Sequence, residues 1–561
     1  MSLRKMFRLF HTVRHLKTEQ LIYRLYYRFV KVRLTENREY GQRPWLSTWS
    51  SSELLPSRML ARGSFEFLGE QGDLKDKDSW NDPLKSKLWL YNLHYLDDLN
   101  AVGAELRREG HKNLIERWIA ENPPAIGNGW EPYPLSLRIV NLVKWFSRQD
   151  VVEPAWLKSL GLQAQALYKQ LEFHILGNHL FANAKALVFA GAFLDGDEAQ
   201  KWLQKGLQIL DREIPEQLLP DGGHFELSPM YHAILLGDMC DLLNLAECSG
   251  LSVLRKRVPG WHEVVNRGLT WLTVMSHPDG RIAFFNDAAF GIAPDPEANK
   301  AYASSLGCDA GQASPRNPRG DQKVSLRWLE NSGYCRVELS DGNVALLDLA
   351  RIGPDYLPAH GHADTLSFEL SLFGRRVFVN SGTSQYGEDV ERQRQRSTAA
   401  HNTVVVDGEA SSEMWGGFRV ARRAYPSTPC FAESAESVVV VASHGGYKRL
   451  RGKAIHQRSW TFTPRSLAIH DLITGNFESA EARFHLHPDV SIDRSHFSDC
   501  QLLLLPGSEK PISFGVQGAE SMELVESTWH PKFGVSVPNI CIAVKFKGHD
   551  LTTRIEWGSD T

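Results

Sequence analysis

Residues 154–193, PAWLKSLGLQAQALYKQLEFHILGNHLFANAKALVFAGAF, hold two successive helical patterns, Pro154–His174 and His179–Phe193, parted by the pair Gly177-Asn178. Apolar residues return at helical spacing in each, and Pro154 stands where a first helical turn tolerates proline. The same pattern runs outward from about Leu88 to Ser276, through Leu88–Arg108, His111–Asn122, Pro134–Ser147, Ala199–Glu213 and Phe225–Cys248. No fixed period links these segments, which argues against a tetratricopeptide or ankyrin array. Paired helices of this length and number suit an α/α toroid whose inner helices line a cleft.

Beyond Leu326 the period changes. Short β-type runs separated by turn signals follow one another: Tyr334–Leu339, Val344–Leu349, Leu366–Leu372, Arg376–Asn380, Thr403–Val406, Val438–Ala442, Ser459–Phe462, Leu502–Leu505 and Ile540–Phe546. Strands without intervening helices indicate an antiparallel β-sandwich. Between Pro294 and Asp321 the composition turns to Pro, Gly, Asn, Asp and Lys, which marks a linker. The expected chain is therefore an α + β multidomain protein, helical over residues 1–310 and β over 322–561, with its cleft between the two.

The 561 residues are 42% apolar and 23% charged, which excludes a collagenous, low-complexity or disordered chain. Sixty-three Lys and Arg against 66 Asp and Glu leave a formal charge of -3, so no global field recruits nucleic acid, and an acidic ligand needs a local basic cleft. Seven Cys without a CxxC pair form neither a disulfide framework nor a zinc knuckle and read as reduced core thiols. The longest apolar run, Ala186 to Leu194, falls well short of the roughly 20 residues of a membrane span. The start, MSLRKMFRLFHTVRHLKTEQ, is basic but lacks an unbroken apolar stretch and a small-residue cleavage site, a poor secretory signal that leaves the compartment open. Residues 1–34 carry nine Lys or Arg and one Glu, with Leu16, Leu21, Leu25 and Phe29 near helical spacing. They read as a basic amphipathic helix, packed on its own domain or lying on a membrane surface.

Polar groups cluster at four places. Asn178 and His179 open a helix, where backbone N–H groups favour an anion, although capping is the commoner use of Asn there. In DGGHFELSPMYH, residues 221–232, Tyr231 follows Pro229 on a first helical turn, placed for proton exchange or simply for packing. In PAHGHAD, residues 358–364, His360 and His362 lie at i and i+2, able to share a metal or a substrate. Arg392, Arg394 and Arg396, read as alternating along an extended segment, suit carboxylates or sulfates, or else guard a sheet edge. Trp130, Tyr133 and Arg138 in WEPYPLSLRIVN, residues 130–141, add aromatic faces and a cation suited to a charged sugar.

Taken together and in order, WEPYPLSLRIVN, GNHLFANAKAL, DGGHFELSPMYH, HGHADTLSFEL, VNSGTSQYG and RSTAAHNTVVVDG resemble the heparinase II/III-like polysaccharide lyases, which include alginate and oligoalginate lyases. The resemblance covers roughly Trp89 to Gly417. It implies an incomplete α/α toroid followed by an antiparallel β-sandwich, and β-elimination beside a uronate in an acidic polysaccharide, with bacterial envelope or exopolysaccharide metabolism as its setting. By resemblance, Asn178 and His179 neutralise the uronate carboxylate, while Tyr231 and His360 move protons; from their aromatic and cationic chemistry, Trp130, Tyr133, Arg138, Arg394 and Arg396 are read as substrate contacts. It also implies a divalent metal, zinc or calcium, on His362, Asn380 and His401, and no organic cofactor. Asn380 departs from the family's carboxylate, and amide oxygen is a far weaker zinc ligand. Two other readings stand beside this one. A binding protein would keep the aromatic and Arg cleft without Tyr231 and His360 in reach of one sugar, and a toroidal glycoside hydrolase would need two opposed carboxylates.

Overall fold

The computed structural model describes all residues except 1–2, 30–31, 51–53, 62, 310–322, 494–499, 509 and 559–561. Two N-terminal helices, α1 (Leu3–Val13) and α2 (Thr18–Phe29), precede α3 (Lys87–Tyr95), α4 (Arg108–Glu121), α5 (Pro132–Phe146), α6 (Pro154–Lys169), α7 (Gly177–Phe193), α8 (Asp197–Gln217), α9 (Pro229–Ser249), α10 (Ser252–Arg255), α11 (Val258–Val274) and α12 (Pro296–Ser305). Five of these, α5, α6, α9, α11 and α12, start on a proline at one of the first two positions, where its missing N–H has no helical partner to lose. Every residue of α7 from Leu180 to Phe193 is buried, which fits its apolar composition on all sides and makes it an inner helix. It packs closely on α8: a side chain at Gly191 would meet the Ala199 carbonyl, and one at Gly206 the Ala184 carbonyl.

The single helix expected over residues 1–34 is two, α1 and α2, and further expectations change in the helical half. The pattern Leu88–Arg108 breaks after α3, where Leu96 turns left-handed (φ 57°) and two 3-10 turns follow. The break is set by Asp98, whose carboxylate accepts from Ser57 Oγ (2.8 Å) and the backbone N–H of Arg58 and Met59 (3.1 and 3.2 Å), drawing the chain off the helix axis. Residues 225–228 are loop, because Pro229 and the Ser228 cap fix the start of α9. A small antiparallel sheet, Met59–Ala61, Ser64–Phe67 and Glu70–Asp73, had no apolar alternation in its third strand to announce it. Within the expected linker, Pro296–Ser305 is helical, and residues 310–321 lie outside the described residues.

The C-terminal half is antiparallel throughout its main sheets. Five strands pair in chain order, Val324–Leu329, Tyr334–Leu339, Val344–Asp348, Phe368–Leu372 and Arg375–Phe378. An eight-stranded and a four-stranded sheet follow, and Ile455–Thr463 and Ser466–Thr474 alternate buried and part-exposed residues as the period-two pattern requires. Cys240, Cys248, Cys308, Cys335 and Cys541 are buried free thiols, and Cys430 is exposed. No described helix is long and apolar enough to cross a membrane.

An apolar cluster joins the halves: Leu227, Trp271, Met275 and Phe285 from one side pack with Leu329, Tyr334 and Leu346 from the other. Arg336 donates to the carbonyls of Val274 and Ser276 (3.1 and 2.7 Å), and Arg376 pairs with Asp279 at 2.7 Å. These polar ties fix the angle of the junction, and the segment after α11 threads into the β domain there.

Candidate active site

That segment, RIAFFNDAAF at 281–290, is buried from Ile282 through Phe290 and delivers Asp287 to the centre of the molecule. Asp287 is wholly buried. Its carboxylate receives both Arg392 Nη groups, one at 2.7 Å, together with His360 Nδ1 and His362 Nε2 at 2.9 Å each and Thr383 Oγ1 at 3.2 Å. Burial works against its charge, but Arg392 and the two imidazoles outweigh that and hold the carboxyl well below the usual carboxylate range. An ionised Asp287 only accepts, so His360 Nδ1 and His362 Nε2 must carry protons. The exchangeable atom of His360 is then Nε2.

Tyr231 lies on His360, ring centroids 3.9 Å apart and planes 29° from parallel. Its placement follows from the start of α9: Ser228 accepts from the Tyr231 N–H at 3.2 Å and donates to the Asp287 carbonyl at 2.5 Å, tying the helix to the same hub. The Tyr231 hydroxyl meets that of Tyr386 at 2.9 Å. Burial raises the Tyr231 phenol well above its ordinary range, with Tyr386 adding to it, so the hydroxyl rests protonated. Phe418, exposed, stands edge-on to Tyr386 at 5.2 Å and borders His360 at 6.1 Å.

Glu226 faces His360 from the other side, 3.7 Å from Nε2. It is buried, and neither of its oxygens closes a hydrogen bond; the backbone N–H of Asn178 faces the carboxylate without bonding it in good geometry. Burial raises its pKa, with His360 and the Asn178 N–H opposing. Glu226 thus lies between His360 and Gly177 at the first turn of α7. There His179 Nδ1 pairs with Glu172 Oε1 at 3.0 Å and its ring lies 4.4 Å from Tyr133, while Asn178 is half-exposed. Burial disfavours a charged His179, but Glu172 more than offsets it and the net shift is upward. Leu176, Leu227 and Asn286, flanking the three segments that carry these groups, all hold left-handed backbone (φ 72°, 60° and 57°), the local strain often found at functional sites.

The expected substrate contacts divide. Tyr133 is at the site, half-buried beside His179. Trp130 instead packs on Trp118 and donates to the Asn122 carbonyl at 3.3 Å. Arg138 is fully buried over Trp118 and donates to Gln163, the His94 carbonyl and the Gly129 carbonyl at 2.8, 2.9 and 2.6 Å. Arg396 is also fully buried, donating to the carbonyls of Gly361 and Gly417, so it braces the His360 loop. None of these three presents a charge or ring to solvent, which corrects the expectation that they touch substrate. The Arg segment is not extended: residues 390–395 form helix α13 (Val390–Gln395), capped by Asp389, which accepts from the Arg392 N–H at 2.8 Å. Arg394 is half-exposed but engaged with Glu391, Thr528 and His530. Arg138→Ala should cost about 1–3 kcal/mol, since it strands buried carbonyls, and thermal unfolding should show it while KM of the folded protein stays unchanged.

Residues 108–299 match the family model Heparinase II/III N-terminus, and residues 321–558 match Heparinase II/III-like, C-terminal. The chain belongs to the heparinase II/III-like family. Within that family it is 26% identical over 382 residues to a heparin-sulfate lyase of Bacteroides stercoris, covering 64% of this chain and 53% of that protein. A second heparin-sulfate lyase, from Pedobacter heparinus, is 25% identical over 366 residues, 58% of this chain and 53% of its own length. The chain spans about half the length of these curated relatives. A solved heparinase III superposes with TM-score 0.66 at 19% identity, covering 97% of this chain and 86% of the other, and shares the helical-then-sandwich fold.

The heparinase II/III-like resemblance implied a metal on His362, Asn380 and His401, and the three do come together: His362 Nδ1 meets His401 Nε2 at 3.3 Å, and His401 Nδ1 meets Asn380 Oδ1 at 3.2 Å. The donors do not fit a common ion. His362 and Asn380 face opposite nitrogens of His401, so they do not converge, and among the described residues no group of three or more His, Cys, Asp or Glu is placed for a metal. Zinc in protein purified without chelator is therefore expected below one per chain. Stoichiometric zinc by elemental analysis would contradict this reading.

The site residues that motif reading passed over are Asp287, Tyr386, Phe418 and Glu172, while Glu226 reads from the sequence as an ordinary first-turn residue and instead precedes α9. The signal available for Asp287 was an Asn-Asp pair, Asn286-Asp287, directly after the apolar run IAFF. Tyr386 lay unremarked inside VNSGTSQYG.

Proposed function

We propose that this chain is a polysaccharide lyase that cleaves a uronate-containing, glycosaminoglycan-type polymer by β-elimination. The observation that carries the reading is Tyr231 stacked on His360, with the latter's Nδ1 proton fixed by ionised Asp287 and its Nε2 left to exchange. The C5 proton of a uronate becomes removable only when its carboxylate is neutralised. Asn178 and His179, at the positive end of α7, are assigned that task, with Glu172 favouring the charged form of His179. Resting Tyr231 is protonated, which suits it to give a proton to the departing O4; the base is then His360 Nε2, or the Tyr231 phenolate once the site has lost a proton. Glu226 is assigned the positioning of His360. The named activity of the heparin-sulfate lyases supports a glycosaminoglycan substrate, and a role on bacterial envelope polymers is our extension of it.

A lyase leaves an unsaturated sugar absorbing in the near ultraviolet, a hydrolase leaves none, and a binding protein leaves the polymer intact. Incubation with a panel of uronate polymers is expected to give absorbing ends on at least one. The charge of His179 adds a pH signature. Its pKa is raised above 6.5, so the cation is complete at low pH and is lost as pH climbs through the raised value. Uronate affinity should weaken across that window, and His179→Gln should flatten the dependence while lowering affinity at acid pH. A profile that His179→Gln leaves unchanged would remove His179 from carboxylate recognition.

A further inference from the structure

The N-terminal helices have two faces. On one, Gln20 donates to the carbonyls of Ile175 and Tyr356 (3.2 and 3.4 Å), Tyr23 stacks on Phe173 at 4.7 Å, and Lys17 pairs with Glu216 at 2.7 Å. Thr12 donates to the Val420 carbonyl and accepts from Trp415 Nε1. The pair is thus anchored to both the helical and the β domain beside the cleft. The other face is apolar and uncovered. Met6, Phe10 and Val13 stand at i, i+4 and i+7 of α1, and Ile22, Leu25 and Phe29 at i, i+3 and i+7 of α2; all six are exposed, Phe10 by 63% and Phe29 by 79%. An apolar stripe left exposed on each of two otherwise anchored helices is a docking surface.

Charge selects the occupant. Residues 1–34 hold nine Lys or Arg and one Glu, a net +8 in a chain of net -3, so the remainder carries -11. Arg14, Arg24 and Arg28 are exposed and have no carboxylate partner among the described residues. A second copy of the same face would bring like charge to like charge, and no described helix can span a bilayer. We propose that α1 and α2 lie on an anionic lipid surface, their apolar stripe in the headgroup boundary and their arginines on lipid phosphates, which holds the cleft at the membrane.

Sedimentation of the full chain with vesicles tests this without reference to catalysis. Binding is expected to mixed phosphatidylcholine–phosphatidylglycerol vesicles, to weaken in high salt, and to be slight on phosphatidylcholine alone. The triple variant Phe10→Ser, Leu25→Ser, Phe29→Ser should reduce the bound fraction about tenfold or more with its unfolding temperature unchanged, since these side chains leave no core. Should that variant misfold, Arg24→Glu with Arg28→Glu tests the charged component, and should also abolish binding. The proposal is overturned if wild-type protein fails to sediment with anionic vesicles, if the variants bind as well as wild type, or if light scattering shows a lipid-independent dimer that the triple variant dissolves.

Discussion

Tyr231→Phe is expected to lower turnover on a cleavable uronate polymer by at least about 10²-fold, and as much as about 10⁴-fold, while leaving affinity nearly unchanged. The ring stays, and with it the 3.9 Å stack on His360; only the hydroxyl that meets Tyr386 is removed. A loss in kcat without a rise in KM is the mark of a group that acts in the transition state rather than in binding. Steady-state kinetics on a confirmed substrate reads this directly. Near-full activity in the variant would reduce Tyr231 to packing and withdraw the proton-transfer assignment.

Asp287→Asn should be the most damaging substitution for the fold. The carboxylate is buried with Arg392, also fully buried, and its neutralisation leaves that guanidinium without a counter-charge. Losing one partner of such a pair costs about 3–5 kcal/mol, whereas replacing both by neutral groups of similar volume costs far less. Urea unfolding should therefore show a large loss in Asp287→Asn and partial recovery in Asp287→Asn with Arg392→Met. Activity should fail in both, because His360 Nδ1 no longer has an anionic acceptor and the ring is free to take the other tautomer. A single-variant loss under about 1 kcal/mol would show that Asp287 is not the electrostatic centre of the site.

Periodicity carried most of the architecture. The run from Pro154 to Phe193 reads as two helices because its apolar residues recur with helical period, and α6 and α7 sit there. The strand Tyr334–Leu339 matches its expected bounds for the equivalent reason. Local competition defeated periodicity elsewhere: the buried Asp98 carboxylate interrupts the apolar pattern after Tyr95, and the Asp389 cap winds the Arg segment into α13. At the site, Tyr231, His360, Asn178 and His179 were legible because each stands at a turn or helix start in an unusual polar grouping. Asp287 and Glu226 were not, since their importance lies in burial and in partners far along the chain, 73 residues from Asp287 to His360, which no local pattern encodes. Arg138 and Arg396 misled for the converse reason: an Arg beside aromatic residues or in a basic run looks like a ligand contact until its donors are found on backbone carbonyls.

In elimination a bond is broken without water entering the products. Cleavage of a uronate polymer in water enriched in heavy oxygen, followed by product mass and near-ultraviolet absorbance, distinguishes this from hydrolysis. The expected result is absorbing, unlabelled fragments whose masses sum to that of the uncut chain. Labelled, non-absorbing fragments would mean hydrolysis and would contradict elimination.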